Sequence, residues 1–421
     1  MKNANGMNFI SVVNFLLVFM PLLAPYRFPG TGINLQTLAL FGLTCYTLFK
    51  KGFYFSFPNK YFKYFLIYAL IVPFVGLSIY LNTSRFFSSF IPIATFSLAF
   101  LSIRKFLVFN TILRYYRKIT YATLIVFFFQ EITFRFLGWR VVGLLPFLPN
   151  TYEQVDMSDY ITTFAQLERS SSVFLEPAHF AQYIIGYLCL RLAYLYYNNK
   201  ILDIDVAVVT LALILSFSGS AYLLLSVILI TYFYYCKITR MYKICIVLLF
   251  IAASSSMLFL YSQSEQGSRI IKRANSLSIS LDENEADYGE SEFVRIYRGW
   301  FVYQDMPYKY KCSGVGSAYV SSFIESSRWI TMFNEDERYV NNAQVLMMGY
   351  GLIGTFLFMC FIICAFQANG IHSKLLFVAF ITLCFFESFW CQPLMLIYLS
   401  IALVKYSNNR IDHENSVCFK G

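Results

Sequence analysis

Along this chain, apolar runs of 16 to 25 residues alternate with short polar breaks. They occupy residues 7–25, 33–49, 61–81, 87–103, 119–134, 173–197, 201–217, 219–236 and 243–262. After a long polar interval come 342–366, 374–390 and 391–406. Most reach the length of roughly 17 residues or more that a helix needs to cross a bilayer. In hydrocarbon every backbone N–H and C=O must be satisfied within the protein, and a helix does this with its own hydrogen bonds. The pattern therefore predicts an all-α polytopic membrane protein with about twelve transmembrane helices.

Composition agrees with the pattern. Of 421 residues, 58% are hydrophobic and 13% charged, against about 25% charged in a soluble domain. The 46 Phe and 33 Tyr suit helix ends at headgroup depth. The formal charge of +10 would suit nucleic acid if it lay along one face, but it sits in short breaks between apolar runs. Lys50, Lys51, Lys60 and Lys63 flank the second break. Arg104, Lys105, Arg114, Arg117 and Lys118 flank the fourth, and Lys237, Arg240 and Lys243 the eighth. These alternate loops agree, so by the positive-inside rule both termini are cytoplasmic. The first run lacks an A-x-A-like cleavage site and reads as a retained helix.

The expected organisation follows. Residues 1–136 hold helices one to five, 137–172 an outer loop, and 173–262 helices six to nine. Residues 263–341 form a large outer loop, partly helical, 342–406 the last three helices, and 407–421 a cytoplasmic tail. Of ten Cys, only Cys312 lies in the large outer loop, so no disulfide framework is implied. No CxxC, P-loop, GxSxG or HExxH pattern occurs. With His372 and His413 on the cytoplasmic side, His179 is the sole outer-face His, which leaves no His-rich metal site.

Charged residues then stand out where they are least expected. The stretch RSSSVFLEPAHFAQY (169–183) brings Arg169, Glu176 and His179 to the mouth of an apolar helix, and charges at such depth need a partner or a wet cavity. In the large loop, SEFVRIYRGWFVYQDM places Arg295 and Arg298 at helical spacing among aromatics. YKCSGVGSAY supplies Gly314 and Gly316, and VNNAQVLMMGYGLIG places Asn341 and Asn342 at the start of a helix. All seven residues are expected near one outer membrane face. Arginine forks suit pyrophosphate, Glu or His suits removal of a hydroxyl proton, and aromatic rings suit sugar faces. Together they fit glycan transfer from a lipid-linked pyrophosphate.

At these residues the chain resembles the Wzy-type polysaccharide polymerases, which make bacterial O-antigen and capsule. Arg169 to Pro177 resembles the family's R-x-x-G-x-F-x-E-P start of a helix, with Ser172 at the usual Gly position. SFSGSAYLLL (216–225) resembles its T-x-S-R-x-x segment, with Gly219 where Arg is usual. Arg295 through the GVG stretch to Asn341, Asn342 and Gly351 resembles the end of its large periplasmic loop. The His that precedes the Asn in related ligases is absent, with Val340 or Asn341 in its place. The resemblance implies a GT-C-like fold in the bacterial inner membrane and periplasmic joining of repeat units on undecaprenyl pyrophosphate. It also implies a flippase and a chain-length regulator as partners, and neither metal nor sugar nucleotide. In this reading Glu176 is the base, with His179 as alternative or orienting partner, and Arg169, Arg295, Arg298, Asn341 and Asn342 bind pyrophosphate or glycan.

Each residue also has a plainer reading. Glu176-Pro177 is a good helix start, Arg169 a good snorkelling residue, and one of the two Asn a good cap. The Gly349, Gly351 and Gly354 positions read as close helix packing, and the Gly314-Val-Gly316 stretch as a turn. Glu131 and Glu387 are buried-looking carboxylates expected to pair within the bundle. Two other functions compete: a ligase that moves finished glycan to lipid A core, and a lipid-linked oligosaccharide flippase. Absence of a clear internal repeat and clustering of polar residues at one face weigh against a transporter.

Overall fold

The computed structural model describes residues 4–28, 34–52, 55, 57–139, 141–145, 148, 170–236, 298–328 and 340–406. Among them the regular structure is helical, with one isolated bridge between Arg27 and Asn34. Eleven of the twelve apolar runs become helices where expected, and the run 243–262 lies outside the described residues. We label them α1 (Ala4–Phe19), α2 (Leu35–Lys51), α3 (Lys60–Tyr80), α4 (Thr83–Ile103), α5 (Phe109–Leu137), α6 (Pro177–Tyr197), α7 (Ile204–Leu215) and α8 (Gly219–Tyr235). Among the described residues of the large loop three short α-helices follow: α9 (Arg298–Asp305), α10 (Tyr308–Ser313) and α11 (Val320–Ser326). The last three are α12 (Asn342–Ala368), α13 (Ile371–Cys384) and α14 (Pro393–Ala402). Among the described residues four helical stretches are long and apolar enough to cross a membrane: Lys60–Tyr80, Thr83–Phe106, Phe109–Leu137 and Asn342–Ala368.

Two boundaries differ from expectation. α5 starts ten residues early, at Phe109, so Arg114, Arg117 and Lys118 belong to a helix rather than a loop. Ile112, Leu113, Tyr116, Ile119 and Thr120 are buried at helical spacing while the three cations stay exposed. An amphipathic first third explains both the charges and the helix. α13 ends at Cys384, six residues short; residues 385–392 make a non-helical break, with Cys391 at φ 58 and Pro393 opening α14.

α6 occupies the centre. From Pro177 to Leu195 nearly every residue is buried, as expected of a helix that is apolar all round. It packs on α5, α7, α8 and α13. Tyr183 Oη also donates to the Val18 carbonyl in the last turn of α1 at 3.1 Å, and Tyr398 Oη of α14 donates to the Gln182 carbonyl at 2.7 Å. We call the end of the bundle where α6 and α12 begin the upper end, and the opposite one, with the short breaks 104–108, 198–203 and 369–370, the lower end.

A buried carboxylate ties α6 to its neighbours near the lower end. Asp205, fully buried in the first turn of α7, accepts from Arg117 Nη2 at 3.0 Å, Tyr121 Oη at 2.6 Å and Tyr187 Oη at 2.9 Å. Arg191 Nε of α6 stands 3.2 Å away, and also donates to Asp203 at 2.8 Å. A charge this deep is tolerable only when so surrounded.

Near the upper end, the large loop dips back into the bundle. Ser313, at the end of α10, accepts at its carbonyl from Tyr68 Oη at 2.6 Å, and Tyr68 lies roughly 18 Å along α3 from Tyr80 at 1.5 Å per residue. The chain then runs backbone to backbone against α12: Val315 N donates to Met348 O at 3.2 Å and Gly316 N to Gly349 O at 2.7 Å. α12 breaks here, at Gly351, whose φ of 64 and ψ of −174 are not helical. A Cβ on Gly351 would strike the Cys312 carbonyl, one on Gly314 the Gly349 carbonyl, and one on Gly76 of α3 the Val315 carbonyl. Gly349 thus admits the returning segment at Gly316 and Ser317, and Gly351 the end of the short helix α10. Gly354 keeps the expected role, facing the Tyr68 ring.

Asp205→Ala is expected to destabilise the protein by about 1–3 kcal/mol, because it leaves the buried Tyr187 hydroxyl without its acceptor and Arg191 with Asp203 alone. Gly351→Ala is expected to cost at least about 1–2 kcal/mol through its left-handed φ alone. Thermal unfolding in detergent measures both, and a wild-type melting temperature for either variant would refute the account of that position.

Candidate functional site at the upper end

Pro177 occupies the first position of α6, where its fixed φ suits a helix start. Glu176 is the preceding N-cap residue, in extended conformation, and its carbonyl accepts from Phe180 N at 3.2 Å. Its carboxylate makes no capping bond and is half-buried, so it stands at the positive end of the most enclosed helix. His179, also half-buried, lies three residues on and shares that face.

The approach to Glu176 is held from α5. Ser172 has φ 57, a left-handed conformation that costs a non-glycine residue about 1–2 kcal/mol. Three hydrogen bonds fix it there. Ser172 N donates to Gln130 Oε1 at 2.8 Å, Gln130 Nε2 donates to Ser172 O at 3.1 Å, and Ser172 Oγ donates to Thr123 O at 2.6 Å. At about 1 kcal/mol each they more than offset the strain. Phe127 stacks on Phe180 with ring centroids 4.7 Å apart, fixing the same face of α5 against the first turn of α6. Ser172 is the position where the resembling family carries Gly, and the left-handed backbone supplies the reason.

Asn341 and Asn342 open α12, and both are fully buried. Asn341 is the N-cap in a capping box: its Oδ1 accepts from Gln344 N at 2.9 Å, and Asn341 N donates to Gln344 Oε1 at 3.1 Å. Its Nδ2 donates to Phe385 O at 2.9 Å. Asn342 N donates to Glu387 O, and Phe389 N to Asn342 Oδ1, each at 2.9 Å. The pair thus pins the break between α13 and α14, including the buried Glu387, to the start of α12. A Cβ on Gly299 would press into the Gln344 side chain, so the first turn of α9, where Arg298 stands, lies against the same cap.

Five of the seven expected site residues are thereby located. Glu176 and His179 open α6. Arg298, Asn341 and Asn342 gather around the start of α12. Since α6 and α13 run antiparallel in contact, Glu176 and residues 385–387 lie at the same end of that pair. Arg169 and Arg295 lie outside the described residues. The Asn341 side chain is spent on protein partners and positions the site rather than lining it, whereas Asn342 uses its Oδ1 on Phe389 N and keeps a buried Nδ2 with no hydrogen-bond partner among the described residues.

Other residues at this end were not anticipated. Gln130, inside the apolar run FFFQEITF, carried a usable signal: an amide at span depth needs partners. Arg85, in the first turn of α4, grips α11, with Nη2 2.9 and 3.1 Å from the Glu325 carboxylate and Nη1 2.8 Å from Ser321 Oγ. Tyr319 Oη donates to Asn82 O at 2.7 Å. On α10, Lys311 donates to Gln304 O at 2.7 Å and its ammonium lies 5.5 Å from the Tyr303 ring centroid. Burial raises that phenol above its ordinary range, so the ring under the cation stays neutral. The Arg85 and Tyr319 contacts join residues more than 230 positions apart, and nothing in local spacing announces them. Compared with known proteins, the chain matches no family model and no curated sequence.

Ser172→Gly is expected to hold near wild-type stability, trading one hydrogen bond for relief of strain. Ser172→Val loses the bond, keeps the strain and adds a β-branch, so it should cost about 2 kcal/mol or more. Thermal unfolding of the two variants side by side checks the order, and a Val variant as stable as the Gly one would contradict it.

Proposed function

We propose that the chain is a Wzy-type polymerase: a twelve-span, GT-C-like glycosyltransferase of the bacterial inner membrane with both termini cytoplasmic. Its upper end faces the periplasm, where it joins lipid-linked repeat units into O-antigen or capsular polysaccharide. The observation that carries this reading is the placement of Glu176. An uncapped, half-buried carboxylate opens the central helix at the end to which Asn341, Asn342 and the first turn of α9 converge.

In the proposed reaction the donor is the growing glycan on undecaprenyl pyrophosphate, and the acceptor is a hydroxyl at the non-reducing end of a new unit. The acceptor oxygen attacks the anomeric carbon in an inverting-type displacement. The carbon–oxygen bond to pyrophosphate breaks, its electrons leave with undecaprenyl pyrophosphate, and Glu176 takes the acceptor proton. His179 orients Glu176 or replaces it as base. Arg169, with Arg295 or Arg298, holds the pyrophosphate and stabilises the charge that develops as it leaves. Lipid-linked substrate, a flippase and a chain-length regulator are the partners this reading requires.

Cells lacking the gene are expected to show a single repeat unit on lipid A core by glycan electrophoresis, with the ladder restored by wild type but not by Glu176→Ala or Arg169→Ala. Arg169→Lys should fail nearly as badly, since an ammonium cannot bind bidentately. Loss of even the single unit from the null would point to a ligase or flippase instead. A full ladder from well-expressed Glu176→Ala would remove Glu176 from the mechanism.

A further inference from the structure

Residues 298–319 enter the bundle and return, and their neighbours give the depth at each step. A Cβ on Gly299 would press on Gln344, at the start of α12. Lower down, Val302 and Met306 of α9 share an apolar cluster with Val345 and Met348 of α12. The Cys312 carbonyl then lies against Gly351, nine residues into α12 or roughly 14 Å at 1.5 Å per residue. Ser313 bonds Tyr68, twelve residues or roughly 18 Å below the end of α3. From there the chain rises past Pro73 and Ser89 at Gly316 and Ser317, and Tyr319 bonds Asn82 at the α3–α4 turn. Both α3 and α12 are long and apolar enough to span, and they agree on the depth. The lowest element of this hairpin, α10, lies about halfway through a hydrocarbon core of ~30 Å.

The exposed side of the hairpin is polar, with Gln304, Asp305, Tyr308, Lys309 and Cys312 all exposed. Asp305 has a partner, since Arg328 Nε and Nη2 donate to its carboxylate at 2.8 and 3.1 Å. The Lys311 ammonium donates to Gln304 O and stands 5.1 Å from the Tyr308 ring centroid. Lys309 has less. Its ammonium lies 4.5 Å from the Tyr310 ring centroid and meets no acceptor among the described residues. A lysine can snorkel over its own length of ~6 Å, less than half the distance to the upper end. A charge at such depth persists only beside a partner or water. Lipid against this face is therefore excluded, and water remains.

We propose that α9 and α10 line a water-filled cleft that opens at the upper end, reaches mid-bilayer depth and draws in anionic ligands. Because Asp305 is spent on Arg328, the uncompensated charges of this wall, among the described residues, are Lys309 and Lys311. The rings of Tyr303, Tyr308 and Tyr310 hold both ammoniums there. The apolar helices behind them focus their field on the water in front. An anionic group thereby reaches the interior of the bundle without crossing lipid. The cleft is a property of this hairpin and does not rest on the polymerase reading.

The native Cys312 reports on the cleft, being exposed one turn beyond Lys309 and adjacent to Lys311. The full chain in lipid nanodiscs is treated with anionic or cationic methanethiosulfonate reagents, and each cysteine is followed by peptide mass spectrometry. Cys312 should react with both, whereas Cys45 and Cys360, half-buried within α2 and α12, should not. Normalised to a free thiol, the anionic reagent should be favoured at Cys312 by about fivefold or more, as expected of two nearby cations. The preference should shrink in about 1 M salt and vanish in the double variant Lys309→Gln/Lys311→Gln. A Cys312 that reacts only with an uncharged, lipid-soluble maleimide faces lipid, and the cleft is overturned. Equal rates for the two charged reagents on wild type, or a preference that survives salt, would overturn the draw on anions.

Discussion

A helix enclosed on every side can place charge only at its ends, and α6 is such a helix. Toward its lower end Arg191 meets Asp203 and Asp205, and the same carboxylate of Asp205 gathers Arg117, Tyr121 and Tyr187 from α5 and α6. Every oxygen there is answered by the protein. At the upper end Glu176 stands half-buried without a capping bond. One end of the helix is closed by a network of ion pairs and the other presents a carboxylate at its positive pole, and the proposed function rests on that asymmetry.

The upper end is shaped by elements that are themselves fixed. Gln130 holds Ser172 in a conformation that points the chain into α6, and the Asn341–Asn342 pair holds the break after α13. Gln130 and Asn341 are engaged at both ends of their amides, and Asn342 through its Oδ1. They keep Glu176, His179 and the first turn of α9 at one end of the bundle, the arrangement on which the proposed glycan transfer depends.

Much of the bundle was legible from residue order because spans in lipid are set by length and apolarity. The eleven described runs fall within a few residues of their expected places, apart from the early start of α5 and the early end of α13. Both departures have a physical cause. Arg114, Arg117 and Lys118 carry the charge of a loop, yet the apolar residues between them keep helical spacing. Residues 385–390 carry the apolarity of a span, yet tertiary bonds from Asn341 and Asn342 unwind them. The glycines were the harder case. Gly349 and Gly351 mark a close approach, as spacing suggested, but whether the partner is a helix or a returning loop depends on contacts with residues more than thirty positions away. The same holds for Arg85 and Glu325, 240 positions apart.

The break in α12 changes what the large loop is for. A helix interrupted at Gly351 has two sets of ends instead of one, so carbonyls that would bond within a continuous helix turn outward at membrane depth. Val315 and Gly316 supply the amide donors that Met348 and Gly349 receive. Without that loop the two acceptors would face hydrocarbon, an arrangement the bilayer does not tolerate. The large loop is therefore part of the membrane fold itself, and a chain pared down to its apolar runs would be a different and unfinished molecule.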